Sequence, residues 1–200
     1  MEPITDISQL DLNQSYSYAD YLTWRFTEYV ELIKGKVMRK MAAPTTYHQK
    51  VVGNLHLTLV NHLRRNACKV FLGPFDVRLL ESTGNGDAQI KTVVQPDLCV
   101  VCDPTKIDKR GCLGAPDWVI EVISPKTARL DTTVKAALYA ENGVREYWIV
   151  YPTEQIVQTY VLEGEAFTQS GAYGEPGLIP SLVLPEMSLE WADVFEGMDG

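Results

Sequence analysis

Nothing in this 200-residue chain approaches the ~20 consecutive apolar residues that a membrane-spanning helix needs. The opening stretch, MEPITDISQLDLNQSYSYADYLTW, has no basic segment followed by an apolar one, so no secretory leader is expected and the cytoplasm is the expected location. No internal repeat, low-complexity tract or linker interrupts the chain, and residues 1–200 are expected to form one domain. A phosphate-binding glycine loop, a dinucleotide fingerprint and a Ser-His-Asp arrangement are all missing, which excludes the chemistries those motifs carry. Positive charge is also scarce: 18 Lys and Arg stand against 26 Asp and Glu, for a formal net charge of −8. The basic residues are scattered. Their densest groups, KGKVMRK (34–40), HLRRNACK (62–69) and KIDKR (106–110), do not build the continuous basic face typical of nucleic-acid binders.

Only four cysteines occur, at Cys68, Cys99, Cys102 and Cys112. Cys99 and Cys102 have the spacing of a metal or redox pair. Yet DLCVVC reads as a strand, whose side chains alternate between faces. The two sulfurs are therefore expected on opposite faces, unable to share a metal. All four are expected to be free, mostly buried thiols.

What the chain does contain is a mixture of strand and helix patterns. SYADYLTWRF reads as a short helix with Ser17 as its cap. YVELIKGKVMRKM reads as two strands around a Lys34-Gly35 turn. TTYHQKVVGNLHLTLVNHLRRN reads as a long amphipathic helix with an apolar stripe of Val52, Leu55, Leu59 and Leu63, and Val51 beside it. KVFLGPFDVRLL is strand-like with a break or bulge at Gly73-Pro74, and ESTGNGDAQIKT is a polar loop. VVQPDLCVVC and PDWVIEVIS read as strands joined by a polar loop over 103–116. LDTTVKAALYAENGV reads as a helix capped by Asp131 and ended by Gly143. REYWIVY is a nearly continuous apolar strand, expected at the centre of a sheet. A further hairpin over QIVQTYVLEG and EAFTQ and a short helix over SLEWADVF close the chain. The expected fold is α/β, a mixed central β-sheet flanked by α-helices.

Two acids stand out within these strands. In DWVIEVIS, alternation puts Trp118, Ile120 and Val122 on one face and Val119, Glu121 and Ile123 on the other. A carboxylate between Val119 and Ile123 needs a partner, a proton or a cation, because burying an isolated charge costs several kcal/mol. Asp97 enters its strand directly after Pro96. If the two strands are neighbours, both carboxylates converge. Two readings then stand: a pair of hard oxygen ligands for Mg²⁺ beside a cleft, or a structural salt bridge from Glu121 to a core Arg or Lys. Asp131, Lys135 and Tyr139 follow at i, i+4 and i+8, on one stripe of the next helix. Lys135 can reach back to assist a water or a phosphate, or be a solvated residue paired with Asp131. His48, at the start of the long helix, either abuts the site, hydrogen-bonded to an acid such as Glu31, or packs in the core. Glu31 either touches the site or faces solvent on its hairpin. Tyr139 either hydrogen-bonds near the site or only packs. His56 and His62 read as surface or dimer-face residues.

PDLCVV, APDWVIEVISPKT, the D-x-x-x-K-x-x-x-Y of Asp131, Lys135 and Tyr139, and GVREYWIV, in that order, resemble the bacterial Uma2 family of restriction-endonuclease-like proteins. YVELIKGKVMRK and His48-Gln49 fit it too, and the resemblance runs from about Tyr18 to Phe195. The family belongs to the PD-(D/E)xK nuclease superfamily. The resemblance implies a restriction-endonuclease-like core and hydrolysis of nucleic-acid phosphodiester bonds, DNA above all, with Mg²⁺ or Mn²⁺. It implies Asp97 and Glu121 as metal-holding catalytic acids, Glu31 as a third metal acid, and Lys135 as the catalytic lysine. The superfamily's own lysine would stand at Ile123. Lys135, rather than Lys126 in the turn, is the candidate to replace it. Tyr151 departs from an Asp that the family commonly carries. A homodimer is expected by analogy, since two sites can cut two strands. The negative net charge and the missing in-strand lysine favour a different class, a non-catalytic nucleic-acid- or protein-binding module. A hydrolase of smaller phosphoesters is a third class.

Overall fold

The computed structural model describes residues 3–39, 44–80, 84 and 86–198. Lys34 and Gly35 both take positive φ, 48° and 79°, as a tight two-residue hairpin turn requires. The chain therefore folds back on itself as β1 (Val30–Ile33) and β2 (Lys36–Arg39). The expected continuation through Lys40 and Met41 lies outside the described residues. Before the hairpin, Ser17 caps α1 (Tyr18–Tyr21) in a reciprocal box with Asp20. After it comes α2 (Thr46–Leu63), capped by Thr45, with Val51, Val52, Leu55, Leu59 and Leu63 buried as the stripe predicts.

Gly73 and Pro74 end one strand rather than bulge it. They separate β3 (Lys69–Leu72) from β4 (Val77–Leu79), which join different sheets. The polar loop that follows is described only at residues 84 and 86–91. β5 (Thr92–Val94) and β6 (Leu98–Val101) are likewise divided, at Gln95, Pro96 and Asp97. The stretch expected as a polar loop over 103–116 holds a hairpin instead, β7 (Ile107–Asp108) and β8 (Gly111–Leu113). Gly111, at φ 124°, lets its backbone pass close to Asp76; a Cβ there would lie 2.1 Å from the Asp76 carbonyl oxygen. This docks the hairpin on β4, giving a sheet in the order β2-β1-β5-β4-β8-β7.

The second six-stranded sheet carries the main core. β9 (Trp118–Val122) and β10 (Glu146–Tyr151) run parallel at its centre. β11 (Ile156–Glu163) and β12 (Ala166–Tyr173) extend one side, and β6 and β3 the other, in the order β12-β11-β10-β9-β6-β3. Alternation along β9 is as expected. Trp118, Ile120 and Val122 pack with the buried stripe of α2, while Val119 and Ile123 face the opposite cluster with Leu138 and Tyr139. The crossover from β9 to β10 is a π-helical segment, Leu130–Lys135, running into α3 (Ala136–Glu141).

Asp131 is not the cap of this helix. It lies buried inside the π segment. The turn before it opens at Ser124, whose Oγ accepts from the Thr127 N–H (3.3 Å) while the Ser124 N–H donates to Thr127 Oγ1 (3.2 Å). Gly143 ends the helix at φ 82°, as expected. β13 (Leu178–Pro180), β14 (Ser188–Glu190) and α4 (Trp191–Val194) complete the fold. The closing helix is thus one turn, preceded by a strand.

The cysteine reading is half corrected. Cys99 and Cys112 are free and buried, but Cys68 and Cys102 form a disulfide. Lys69 pairs with Val101 across β3 and β6, so the residues one step beyond that pair face each other. Cys99 and Cys102 do lie on opposite faces, each packed against a different core cluster.

Candidate active site

The register of β6 against β9 builds the site. Leu98 pairs with Ile120 in antiparallel sense, so the residues one step further, Asp97 and Glu121, face each other. The Asp97 N–H donates to Glu121 Oε2 (3.2 Å), and the Val122 N–H donates to Asp97 Oδ2 (2.9 Å). Neighbouring strands thus bring together the two acids that the sequence singles out. The Asp97 side chain is 14% exposed and that of Glu121 3%, so the pair runs from surface to interior.

Lys135 closes the site from within. Its Nζ lies 3.0 Å from Glu121 Oε1, 2.9 Å from Glu31 Oε1 and 3.7 Å from Asp131 Oδ1, with 2% of the side chain exposed. It is therefore not a solvated helix residue, and its partner Asp131 is only one of three. Burial by itself would lower the Lys135 pKa. The carboxylates of Glu121, Glu31 and Asp131 outweigh that and hold it well above the ordinary lysine value. Burial pushes the Asp131 carboxyl up, against the pull of Lys135. Tyr139, one turn further on, donates its hydroxyl to Glu121 Oε1 (2.9 Å). Its own pKa is raised well above the tyrosine range by burial and by Glu121.

Glu31 comes to this point from the other sheet. It is 3% exposed, and its Oε1 also accepts the Gln95 N–H (2.8 Å), so it does not face solvent. His48, in the first turn of α2, places Nε2 3.1 Å from Asp97 Oδ2. It abuts the site through Asp97, not through Glu31. Its Nδ1 is buried without a hydrogen-bond partner among the described residues. Ile123 is buried, and Lys126 stands exposed in the turn. Tyr151, at the end of β10, donates to Gln158 Oε1 (3.4 Å). His62 is exposed and His56 partly so.

Sequence reasoning missed the layer behind these residues. The Gln95 Nε2 donates to Asp76 Oδ1 (2.8 Å) and to the Tyr21 hydroxyl (3.3 Å). The one available signal was a polar residue inside the apolar run VVQPDL.

The donor set fits a hard divalent cation. Mg²⁺ and Mn²⁺ prefer oxygen ligands, and Mg²⁺ commonly takes only one or two carboxylates, with water and phosphate for the remainder. Asp97 and Glu121 would be that pair. Among the described residues, no group of three or more His, Cys, Asp or Glu side chains is spaced to hold a metal. A site built on Asp97 and Glu121 therefore depends on water or substrate to complete it.

Residues 18–192 match the Uma2 family, whose description reads "Putative restriction endonuclease". A Synechocystis protein, "Uncharacterized protein slr1290", is 28% identical over 149 residues, which are 70% of this chain and 71% of that one. Among solved structures, one titled as "a putative nuclease belonging to DUF820 from Anabaena variabilis" superposes with a TM-score of 0.71. It covers 92% of this chain and 99% of its own, at 21% identity, and so shares the fold. The chain belongs to the Uma2 family, and its mixed α/β fold is that of the Anabaena variabilis structure. No helix among the described residues is long and apolar enough to cross a membrane.

Proposed function

We propose that this Uma2-family chain is a divalent-metal-dependent endonuclease that hydrolyses phosphodiester bonds in DNA, with Asp97, Glu121 and Lys135 at its centre. One observation carries the reading. Asp97 and Glu121 face each other across adjacent strands, each oriented by a backbone N–H of the other's strand, where Asp97 reaches the surface. Mg²⁺ or Mn²⁺ held there would supply an acidified water and neutralise charge building on the phosphate.

The chain's own groups do the remainder. Tyr139 and Lys135 both bind Glu121 Oε1, which directs Oε2 toward Asp97. His48 orients the Asp97 carboxylate from the α2 side. Glu31, whose Oε1 serves Gln95 and Lys135, would act on the metal from behind Lys135, with water or substrate completing the shell. Lys135 is held as an ammonium by its carboxylates, so its role is to balance negative charge rather than to accept a proton. Two copies acting as a homodimer would place one site on each DNA strand.

A second reading has its own support. The ammonium of Lys135 satisfies the carboxylates of Glu31, Glu121 and Asp131 together, an arrangement that stands without a metal and suits a binding module. Calorimetric titration with Mg²⁺ and Mn²⁺ separates the two, using the wild-type chain, Asp97→Asn and Glu121→Gln, with and without a DNA duplex. Nicking of supercoiled plasmid is followed in parallel. The nuclease reading expects binding and nicking by the wild type, and the loss of both in each variant. A wild type that binds no metal even with DNA present, and leaves the plasmid intact, makes the binding module the better account.

A further inference from the structure

Asp97 sits directly after a turn, and turns are where an acid's position is least constrained by strand pairing. Here the turn is held from several sides. The Gln95 N–H is bound by Glu31 Oε1 (2.8 Å). The Asp97 carbonyl accepts the Gly73 N–H (2.9 Å). Gly73 comes so close that a Cβ on it would lie 2.7 Å from the Pro96 carbonyl oxygen. The Gln95 side chain, in a residue only 7% exposed, donates to Asp76 Oδ1 (2.8 Å) and to Tyr21 (3.3 Å). Asp76 itself immediately precedes β4, and its second oxygen accepts the Tyr18 hydroxyl (3.4 Å).

We infer that Gln95 is a positioning residue for the metal-holding pair, with Asp76 as its anchor. The amide nitrogen is directed to Asp76 and Tyr21 rather than to Asp97 or Glu121. It ties the Gln95-Pro96-Asp97 turn to the entry of β4 in the first sheet, so that one short segment presents the Gln95 N–H to Glu31 and the Asp97 N–H to Glu121. The two sheets meet at this segment, and the Gln95–Asp76 hydrogen bond, made on the side of the sheet that carries Glu31, fixes the turn from which Asp97 passes to the other sheet. Partners of this kind typically change metal affinity by about 10–100-fold when removed. The inference rests on the metal-dependent reading above.

The test is Mn²⁺ titration calorimetry with the full chain, beside thermal unfolding of each protein. Gln95→Leu keeps the volume and removes the amide. It is expected to weaken Mn²⁺ binding about tenfold, while the unfolding midpoint stays near that of the wild type. The double variant Gln95→Glu with Asp76→Asn reverses the polarity of the hydrogen bond and is expected to recover most of the affinity, which a purely steric role would not allow. If Gln95→Leu fails to fold, Asp76→Ala asks the same question from the other partner, with the same loss expected. Affinity within about twofold of wild type in whichever of these folds, with wild-type binding intact, overturns the inference alone. Absence of Mn²⁺ binding by the wild type overturns the metal reading, and the inference with it.

Discussion

The Lys135 ammonium is held among three carboxylates with 2% of its side chain exposed. Burial opposes its charge, and the carboxylates of Glu121, Glu31 and Asp131 outweigh that. Removing it would strand the carboxylates of Glu31, Glu121 and Asp131 in the interior, so Lys135→Met is expected to cost about 3–5 kcal/mol, the range for breaking a buried pair. Urea unfolding measures this; a cost below about 1 kcal/mol would mean that the acids find other partners. The sign with pH follows from the raised pKa. A base whose folded pKa lies above its unfolded value of 10.5 stabilises fully below that value and loses the effect as pH rises through the folded one. The wild-type advantage should therefore stay flat from about pH 7 to about pH 9.5. At this scale the sequence was informative about stripes. Alternation placed Glu121 opposite the Trp118 face, and the i, i+4, i+8 spacing put Asp131, Lys135 and Tyr139 together. It was silent on how many acids one lysine would meet, because Glu31 reaches Lys135 from 104 positions away in the chain.

Helices and strands carry these residues to their places. The crossover helix matters most, since it delivers Lys135 and Tyr139 to Glu121. Its opening turn depends on the reciprocal Ser124–Thr127 bonds, with Pro125 between them, an arrangement suited to a helix start. Ser124→Ala is expected to cost about 1 kcal/mol by urea unfolding. A change within about 0.3 kcal/mol, the size expected of a surface substitution, would show that the turn is held by other contacts. Asp131 has the residue type of a cap and lies at the start of an apolar pattern. Ser124 competes for that role seven positions earlier, and the π-helical segment Leu130–Lys135 that contains Asp131 turns it inward. The polar residues 103–116 lack the length and alternation of ordinary strands. Only docking of Gly111 on Asp76 and of β8 on β4 makes a hairpin of them.

Across the whole molecule, two six-stranded sheets meet where β5 passes through Gln95, Pro96 and Asp97 into β6. The site lies at that passage. A disulfide between Cys68 and Cys102, 34 positions apart, ties the edge strand β3 to β6, the strand that begins at the site. Closing a loop of that size is worth about 2–4 kcal/mol. Reduction with dithiothreitol, or the pair Cys68→Ser and Cys102→Ser, is expected to lower the unfolding free energy by that amount; equal stability of the oxidised and reduced chains would argue against the bond. Local chemistry settled a good deal by itself: the Lys34-Gly35 hairpin, the buried stripe of α2 and the central place of REYWIVY. Those features depend on periodicity and turn residues within a few positions of one another. The tertiary structure alone decided that Cys68 meets Cys102, that Glu31 joins Lys135, that His48 finds Asp97, and that Gln95 is anchored on Asp76. Each of these contacts joins distant segments, and strand register and the docking of two sheets, rather than local pattern, determine which side chains meet.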